Sequence, residues 1–90
     1  MKTHDLKCWP TYFEAIFEDR KTFEVRKDDR EFEVGDILHL EHYDPETSIY
    51  NGSFIDAHVT YIMKGPEWGI EAGHCVLGIK VFYKYLQTFP

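Results

Sequence analysis

The residues best suited to chemistry fall in one short stretch, from Arg20 to Arg30, which holds five of the ten basic residues of the chain. Inside it, residues 22 to 26 alternate between polar and apolar types (Thr-Phe-Glu-Val-Arg). A period of two is typical of a half-buried strand, so Phe23 and Val25 are predicted to face a core while the polar side chains point the other way. A hydroxyl, a carboxylate and a guanidinium in one row can bind a small polar ligand or a nucleotide. They can equally form cross-strand ion pairs on a solvated sheet. The pattern alone favours ion pairs over ligand binding, because exposed alternating charges are common on antiparallel sheets.

Length and charge limit the class of protein. Ninety residues make one domain, residues 1–90, without space for a separate catalytic domain. No apolar run approaches the roughly 18 residues of a membrane span, and the opening residues lack the apolar segment of a secretory signal, so a cytoplasmic protein is expected. The net charge of −6 disfavours indiscriminate nucleic-acid binding. Residues 31 to 63 hold seven acids and no Lys or Arg, so the basic stretch lies on an acidic body and suits a short, specific ligand.

Cysteine and histidine spacing indicates neither a metal site nor a cofactor. Cys8 and Cys75 are isolated thiols without a Cys-x-x-Cys spacing, and both are expected to be buried and free. The five histidines show no zinc-type spacing either.

The first third of the chain predicts a strand and a helix. Residues 3 to 8 alternate as a strand does, and Pro10 ends it because proline cannot donate to an interior ladder. Thr11 followed by Glu14 is a capping-box pattern, which predicts a helix of about two turns beginning at Thr11. Its core stripe is Phe13, Ile16 and Phe17.

The remainder predicts a run of strands. After the strand at residues 21–27, Phe32 and Val34 alternate with acids, and residues 37–43 form the next strand. Residues 44–47 are a turn signal, and Asn51-Gly52 is the strongest hairpin signal. Two later strands show alternating inward faces: Ile55, Ala57, Val59, Tyr61 and Met63 in one, and Cys75, Leu77, Ile79 and Val81 in the other. The aromatic segment 82–90 extends the last strand or forms a tail.

These elements predict a mixed α/β fold that is mainly β. Five or six strands, mostly antiparallel, with one short helix near the N-terminus tend to close into a small β-barrel, because closure removes the edge strands.

The order of these motifs resembles the ASCH domains of the PUA-like superfamily. Those domains carry a Gly-x-Lys-x-x-Glu-x-Arg motif, and Lys21, Glu24 and Arg26 match its last three fixed positions, while Asp19 stands where the family usually has Gly. More narrowly, the chain is similar to a small ASCH-related family of unknown function found in bacteria and their phages. That family begins with His-x-Leu-Lys-x-Trp-Pro, which residues 4–10 match.

The resemblance implies a PUA-like barrel with a cleft between helix and barrel that binds RNA or a nucleotide-like ligand. Lys21 and Arg26 would meet phosphate, and Glu24 would accept from a base or hold Arg26 in place. Strict alternation would put Lys21 on the Phe23 face, so a bulge or strand start at Lys21 is needed to bring it into the cleft. The other expected contacts are two stacking aromatics, Trp9 and Trp68, and three cations, Lys7, Lys27 and Arg30.

Two alternatives remain open. Some ASCH-like relatives deacetylate N4-acetylcytidine, which implies a small amidohydrolase with Lys21, a substitute nucleophile at Thr22, and Glu71 as a late acid. Here Glu24 occupies the position of the expected threonine, so the balance is against an enzyme. The second alternative is a protein-interaction module of phage or bacterial origin that uses the acidic stretch or the aromatic tail. The sequence does not indicate an oligomeric state.

Overall fold

The computed structural model describes residues 1–88, which form one helix and five strands. In chain order these are β1 (Thr3–Cys8), α1 (Pro10–Phe17), β2 (Phe23–Lys27), β3 (Ile37–Asp44), β4 (Ile49–Lys64) and β5 (His74–Tyr85). All strands join one sheet in the order β1-β3-β4-β5-β2. The β1–β3 pair is parallel and the other three pairs are antiparallel. Phe89 and Pro90, the end of the predicted aromatic tail, lie outside the described residues.

The sheet curls into a half-barrel, so the prediction of a closed barrel is wrong while the mainly β composition is confirmed. The two edge strands, β1 and β2, do not pair with each other. The gap between them is instead crossed by side chains from the β2 side that reach backbone carbonyls of β1. The edge that closure would have removed is therefore covered by cations, which also discourages edge-to-edge pairing.

The core fills the concave side of the curl. Alternating residues of β1, β3, β4 and β5 are buried there together with two residues of α1 and Phe32: Leu6, Cys8, Phe13, Ile16, Phe32, Leu38, Leu40, Ile55, Ala57, Val59, Cys75, Leu77 and Ile79. The predicted inward face of the last strand is confirmed, and Val81 packs against the same cluster. Both cysteines are buried and free, as predicted.

Helix α1 begins one residue earlier than the capping box predicted. Pro10 occupies the first turn and Trp9 is the N-cap residue, without a side-chain capping bond. Proline suits this position because its missing N–H would have no partner in the first turn and its fixed φ is already helical. Phe13 and Ile16 are buried, so the predicted core stripe is confirmed.

Turns and bulges account for the other differences from the predicted elements. The β3–β4 turn is formed by residues 45–48, whereas Asn51 and Gly52 lie inside β4 at an irregularity in its pairing with β3. A second irregularity lies between Val59 and Tyr61, which leaves Tyr61 exposed and turns Ile62 toward the core instead. A bulge adds one residue and so reverses the inside–outside alternation beyond it. Residues 31–34 form no strand.

Candidate functional site

The turn between α1 and β2 sets the position of Lys21. The N–H of Arg20 donates to Ala15 O (2.8 Å) and that of Asp19 donates to Ile16 O (3.0 Å), which is the Schellman pattern of helix ends. Asp19 occupies the left-handed position with φ 61°. Glycine usually fills this position because it has no Cβ, which gives a physical reason for the Gly of the ASCH-type motif. The turn ends with the Lys21 N–H also bonded to Ala15 O (3.0 Å), two residues before β2 begins.

The orientation of β2 is the reverse of the sequence prediction. Glu24 is 4% exposed, whereas Phe23 and Val25 are 44% and 56% exposed. The reason is pairing: Glu24 lies opposite Leu77 of β5, and directly paired residues share a face of the sheet. Because Leu77 points into the core, Glu24 does too. The prediction that Phe23 and Val25 face the core is wrong.

A buried carboxylate needs partners, and two cations supply them. Lys21 Nζ donates to Glu24 Oε1 (2.6 Å) and also to the carbonyl of Phe23 (2.6 Å). Arg26 binds the other oxygen, with Nε 2.9 Å and Nη2 2.8 Å from Glu24 Oε2. Strand β2 begins at Phe23, so Lys21 lies before it and does not follow its alternation. The Lys21 side chain can therefore reach the face on which Glu24 lies.

The same guanidinium ties the two edges of the half-barrel together. Arg26 Nη2 donates to the carbonyl of Lys7 in β1 (2.7 Å), and Arg30 Nη1 donates to the carbonyl of Asp5 (3.0 Å). Arg26 therefore binds Glu24 and also bridges the gap between the unpaired edge strands β1 and β2.

A cleft of about 670 Å³ opens beside this cluster, between the end of β1, the start of α1 and strand β2. Its lining combines the charged cluster with an aromatic and aliphatic wall: Lys7, Cys8, Trp9, Tyr12, Lys21, Phe23, Glu24, Val25 and Arg26. Trp9 and Tyr12 are about half exposed and lie nearly parallel, with ring centroids 6.2 Å apart and an interplanar angle of 25°. The cleft thus offers flat apolar surface next to fixed charges.

The Cys8 thiol in the cleft wall is not poised as a nucleophile. Burial raises its pKa to about 12, an effect that the neighbouring Glu24 carboxylate reinforces and that Arg26 and Lys21 oppose. The thiolate is the reactive form, so this cysteine is an inert part of the wall at neutral pH.

The structure brings together Lys7, Trp9, Lys21, Glu24 and Arg26 of the predicted contacts, all of which line the cleft. Lys27 and Arg30 line a smaller cavity next to it. The other three predicted residues lie outside the cleft lining. Thr22 is exposed, Trp68 is 84% exposed in the β4–β5 loop, and the Glu71 carboxylate is 3.9 Å from His74 Nδ1.

Sequence reasoning missed four residues of the cleft wall, namely Cys8, Tyr12, Phe23 and Val25. Tyr12 is an exposed aromatic on the side of α1 away from the core stripe and three residues after Trp9, which is a usable signal in a helix where solvent-facing positions are normally polar. The other three could not be found by pattern, because Phe23 and Val25 were assigned to the core and Cys8 is buried.

Among residues 1–88, no group of three or more His, Cys, Asp or Glu side chains is arranged to hold a metal ion. Nor does this part of the chain contain a helix with the length and apolar character that a membrane crossing requires.

Fold and site together define a small half-barrel protein with a cation–carboxylate–cation cluster at its open edge. Residues 3–79 match the family model described as "Domain of unknown function (DUF3850)", and the chain belongs to that family. Over 67 residues it is 31% identical to the "Uncharacterized 12.9 kDa protein in GpA 3'region" of Escherichia phage P2. The match covers 74% of this chain and 60% of the phage protein, so the chain spans less than two thirds of that relative. The coarser expectation, a family of unknown function with a phage member, is confirmed.

Proposed function

We propose that the protein is a non-catalytic, ASCH-type PUA-like module that binds RNA or a nucleotide in the cleft between α1, β1 and β2. The observation that supports this best is the composition of the cleft wall. An exposed aromatic pair stands beside a buried carboxylate that two cations hold in place.

The aromatic pair suits an unpaired base. Proteins that bind single-stranded RNA hold splayed bases by stacking them on aromatic side chains. Trp9 and Tyr12 present such faces, and within residues 1–88 neither ring is committed to a side-chain hydrogen bond. A base that enters the cleft can therefore stack on these rings without breaking a side-chain hydrogen bond of either one.

The charged cluster retains unused hydrogen-bonding capacity. A carboxylate has about four lone-pair sites, so Glu24 can still accept from a base amino or imino group while it binds both cations. Lys21 uses two of its three donors on Phe23 O and Glu24. Arg26 likewise keeps N–H groups beyond those bonded to Glu24 and Lys7 O. The cluster can therefore orient a polar ligand and keep its internal bonds.

Size and charge agree with a small anionic ligand. The cleft volume of about 670 Å³ lies inside the range of roughly 300–1,000 Å³ that is usual for ligand sites. Three lining cations (Lys7, Lys21 and Arg26) against one carboxylate (Glu24) give a local charge of +2 on a chain of net charge −6. Such a site attracts one or a few phosphates while the acidic body repels long polyanions.

The placement of the hydroxyl favours binding over hydrolysis. A nucleophile needs an adjacent base and a route to the substrate, but Thr22 is exposed outside the cleft lining, and so is Glu71. Cys8 does line the cleft, but its raised pKa keeps it protonated at neutral pH.

Substitution of Trp9 tests this proposal cleanly. We expect wild type to bind fluorescein-labelled single-stranded RNA of about six nucleotides at low salt, and Trp9→Ala to weaken binding about tenfold or more because one stacking face is lost. Fluorescence anisotropy measures both affinities, and added salt should weaken both. Trp9 is a better choice than Lys21 or Arg26, since removal of either cation leaves buried Glu24 short of a partner.

The matched control is Trp68→Ala, which removes the same side chain from a loop outside the cleft. It should bind as wild type does. Equal losses in the two variants, or no binding of any RNA or mononucleotide by wild type at low ionic strength, would contradict the proposal.

A further inference from the structure

A second cavity adjoins the cleft at Arg26, which lines both. Its volume is about 140 Å³, and it is lined by Leu6, Arg26, Lys27, Asp29, Arg30 and Phe32. This space is about a fifth of the volume of the cleft and is large enough for a phosphate group. Buried Leu6 and Phe32 give the cavity a rigid apolar back.

The charge of this cavity is strongly positive for its size. Arg26, Lys27 and Arg30 contribute three positive charges and Asp29 one negative charge, so the lining carries +2. Glu24 compensates part of the Arg26 charge from the cleft side, but Lys27 and Arg30 have no carboxylate partner within residues 1–88. Two cations without a carboxylate partner around a small concavity are typical of anion recognition.

Donor geometry adds direction to the charge. Arg30 uses one N–H on the carbonyl of Asp5, which fixes its guanidinium at the cavity and leaves its other donors free. In the described part of the chain the Lys27 ammonium makes no hydrogen bond or ion pair. A phosphate in the cavity can therefore be bound by an anchored guanidinium and an adaptable ammonium without loss of an internal contact.

We infer that this cavity is a phosphate subsite, and that it binds the phosphate of the nucleotide whose base occupies the cleft. The inference rests on the proposed function and makes it specific. The ligand class is a nucleoside monophosphate, free or as a unit of RNA, rather than a free base or a nucleoside. Arg26 connects the two parts of the site, since it lines both cavities and is held by Glu24 and by the carbonyl of Lys7.

Isothermal titration calorimetry with matched ligands tests the subsite. The four ribonucleosides and their 5′- and 3′-monophosphates are titrated into wild type, Lys27→Gln, Arg30→Gln and Trp9→Ala. We expect at least one monophosphate to bind about tenfold or more tightly than its nucleoside, because hydrogen bonds between charged groups are the strong ones. This ratio should fall toward one in Lys27→Gln and Arg30→Gln, while Trp9→Ala weakens nucleoside and nucleotide alike.

Lys80→Gln is the matched control, because Lys80 is an exposed lysine on β5 that lines neither cavity, and it should keep the wild-type ratio. Lys27→Gln protects the test against misfolding, since it removes no internal bond, whereas Arg30→Gln also removes the bond to Asp5 O. Equal affinity for nucleoside and monophosphate, or a preference that survives in both Lys27→Gln and Arg30→Gln, overturns the subsite and leaves base binding in the cleft intact. If no nucleoside or nucleotide binds to wild type, the subsite falls together with the proposed function.

Discussion

Glu24 explains the spacing of the Lys-x-x-Glu-x-Arg motif at the level of single residues. Glu24 and Arg26 are two apart on a strand and so share its inner face, while Lys21 lies before the strand and is free to turn toward the same carboxylate. The three side chains stabilise one another and also form a wall of the cleft. A buried ion cluster of this kind is costly unless every member is paired, so the motif is a structural unit in its own right.

The residue at the helix end offers a stability prediction. Asp19 has a φ of 61°, a conformation that costs an L-residue about 1–2 kcal/mol and glycine very little. Glycine loses about 0.5–1 kcal/mol more backbone entropy on folding, which offsets part of the gain. We therefore expect Asp19→Gly to raise the free energy of unfolding by about 0.5–1 kcal/mol, measured by urea denaturation.

Arg20→Gly is the control for this substitution. Arg20 is next to Asp19 but does not have a left-handed φ, so glycine relieves no strain there. It should destabilise the protein by up to about 1 kcal/mol. If Asp19→Gly is no more stable than wild type, the Asp19 side chain contributes more than its weak 4.0 Å approach to Lys84 indicates.

At the level of elements, the open edge of the half-barrel depends on side chains where a closed barrel would have a ladder. Carbonyls of β1 at Asp5 and Lys7 accept from two arginines, and the carbonyl of Glu31 accepts from Lys2 Nζ (2.8 Å). Each bond joins β1, or the residue just before it, to β2 or the loop that follows β2, and these two strands are the opposite edges of the sheet. The cleft keeps its shape because these bonds fix the separation of the two edges.

Arg26→Gln tests this function of the motif arginine. The variant leaves Glu24 with Lys21 as its remaining cation and removes the charged donor to Lys7 O. We expect the free energy of unfolding to fall by about 1–3 kcal/mol, because a buried carboxylate loses a charge-assisted partner. Lys80→Gln, on the exposed face of β5, should change it by less than about 0.5 kcal/mol. Similar small effects in both variants would mean that the bridge contributes nothing to stability.

Elements were predictable from the sequence where one continuous core determines the pattern. The stripe of α1 and the inward face of β5 meet that core directly, and their periodicity located them correctly. The face of β2 depends instead on which strand it pairs with and on the two cations that make a buried Glu24 tolerable. Local pattern contains no information about such long-range partners. For the same reason Asn51-Gly52 was taken for a hairpin, although the pairing of β3 with β4 places it in a bulge.

The candidate site divides in the same way. The motif identified Lys21, Glu24 and Arg26, and the Trp-Pro start identified Trp9, so the charged half of the cleft and one aromatic were predictable. The placement of Trp68 in a loop outside the cleft follows from the length of the β4–β5 hairpin, which the spacing of the sequence does not show. Tyr12 follows Trp9 by three residues at the start of α1, so its spacing was a usable signal that the prediction did not take up.

At the scale of the whole molecule, one buried carboxylate joins the N-terminus to the middle of the sheet. Asp36 is 1% exposed and accepts from the backbone N–H groups of Lys2 (3.0 Å) and Glu33 (3.0 Å). Its Oδ2 is also hydrogen-bonded to His4 Nε2 at 2.9 Å. Burial by itself would raise the pKa of Asp36, but these hydrogen bonds outweigh it and lower the pKa to about 2. This joint, formed by Asp36 with Lys2, His4 and Glu33, aligns β1 on β3. It thereby fixes the position of the cleft wall that contains Lys7, Cys8 and Trp9.

The acid stability of the protein should depend on this joint. The folded pKa of Asp36, about 2, lies below its ordinary value of 3.8, so the stabilisation is present above about pH 4 and is lost as the pH falls toward 2. We expect Asp36→Asn to be less stable than wild type at pH 7, with a difference that shrinks by about 2 kcal/mol between pH 5 and pH 2. Urea denaturation at a series of pH values measures it, with Asp5→Asn at an exposed position of β1 as the control. A difference for Asp36→Asn that stays constant with pH would mean that this carboxylate does not lose its charge over that range. The joint would then act through the shape of the side chain alone.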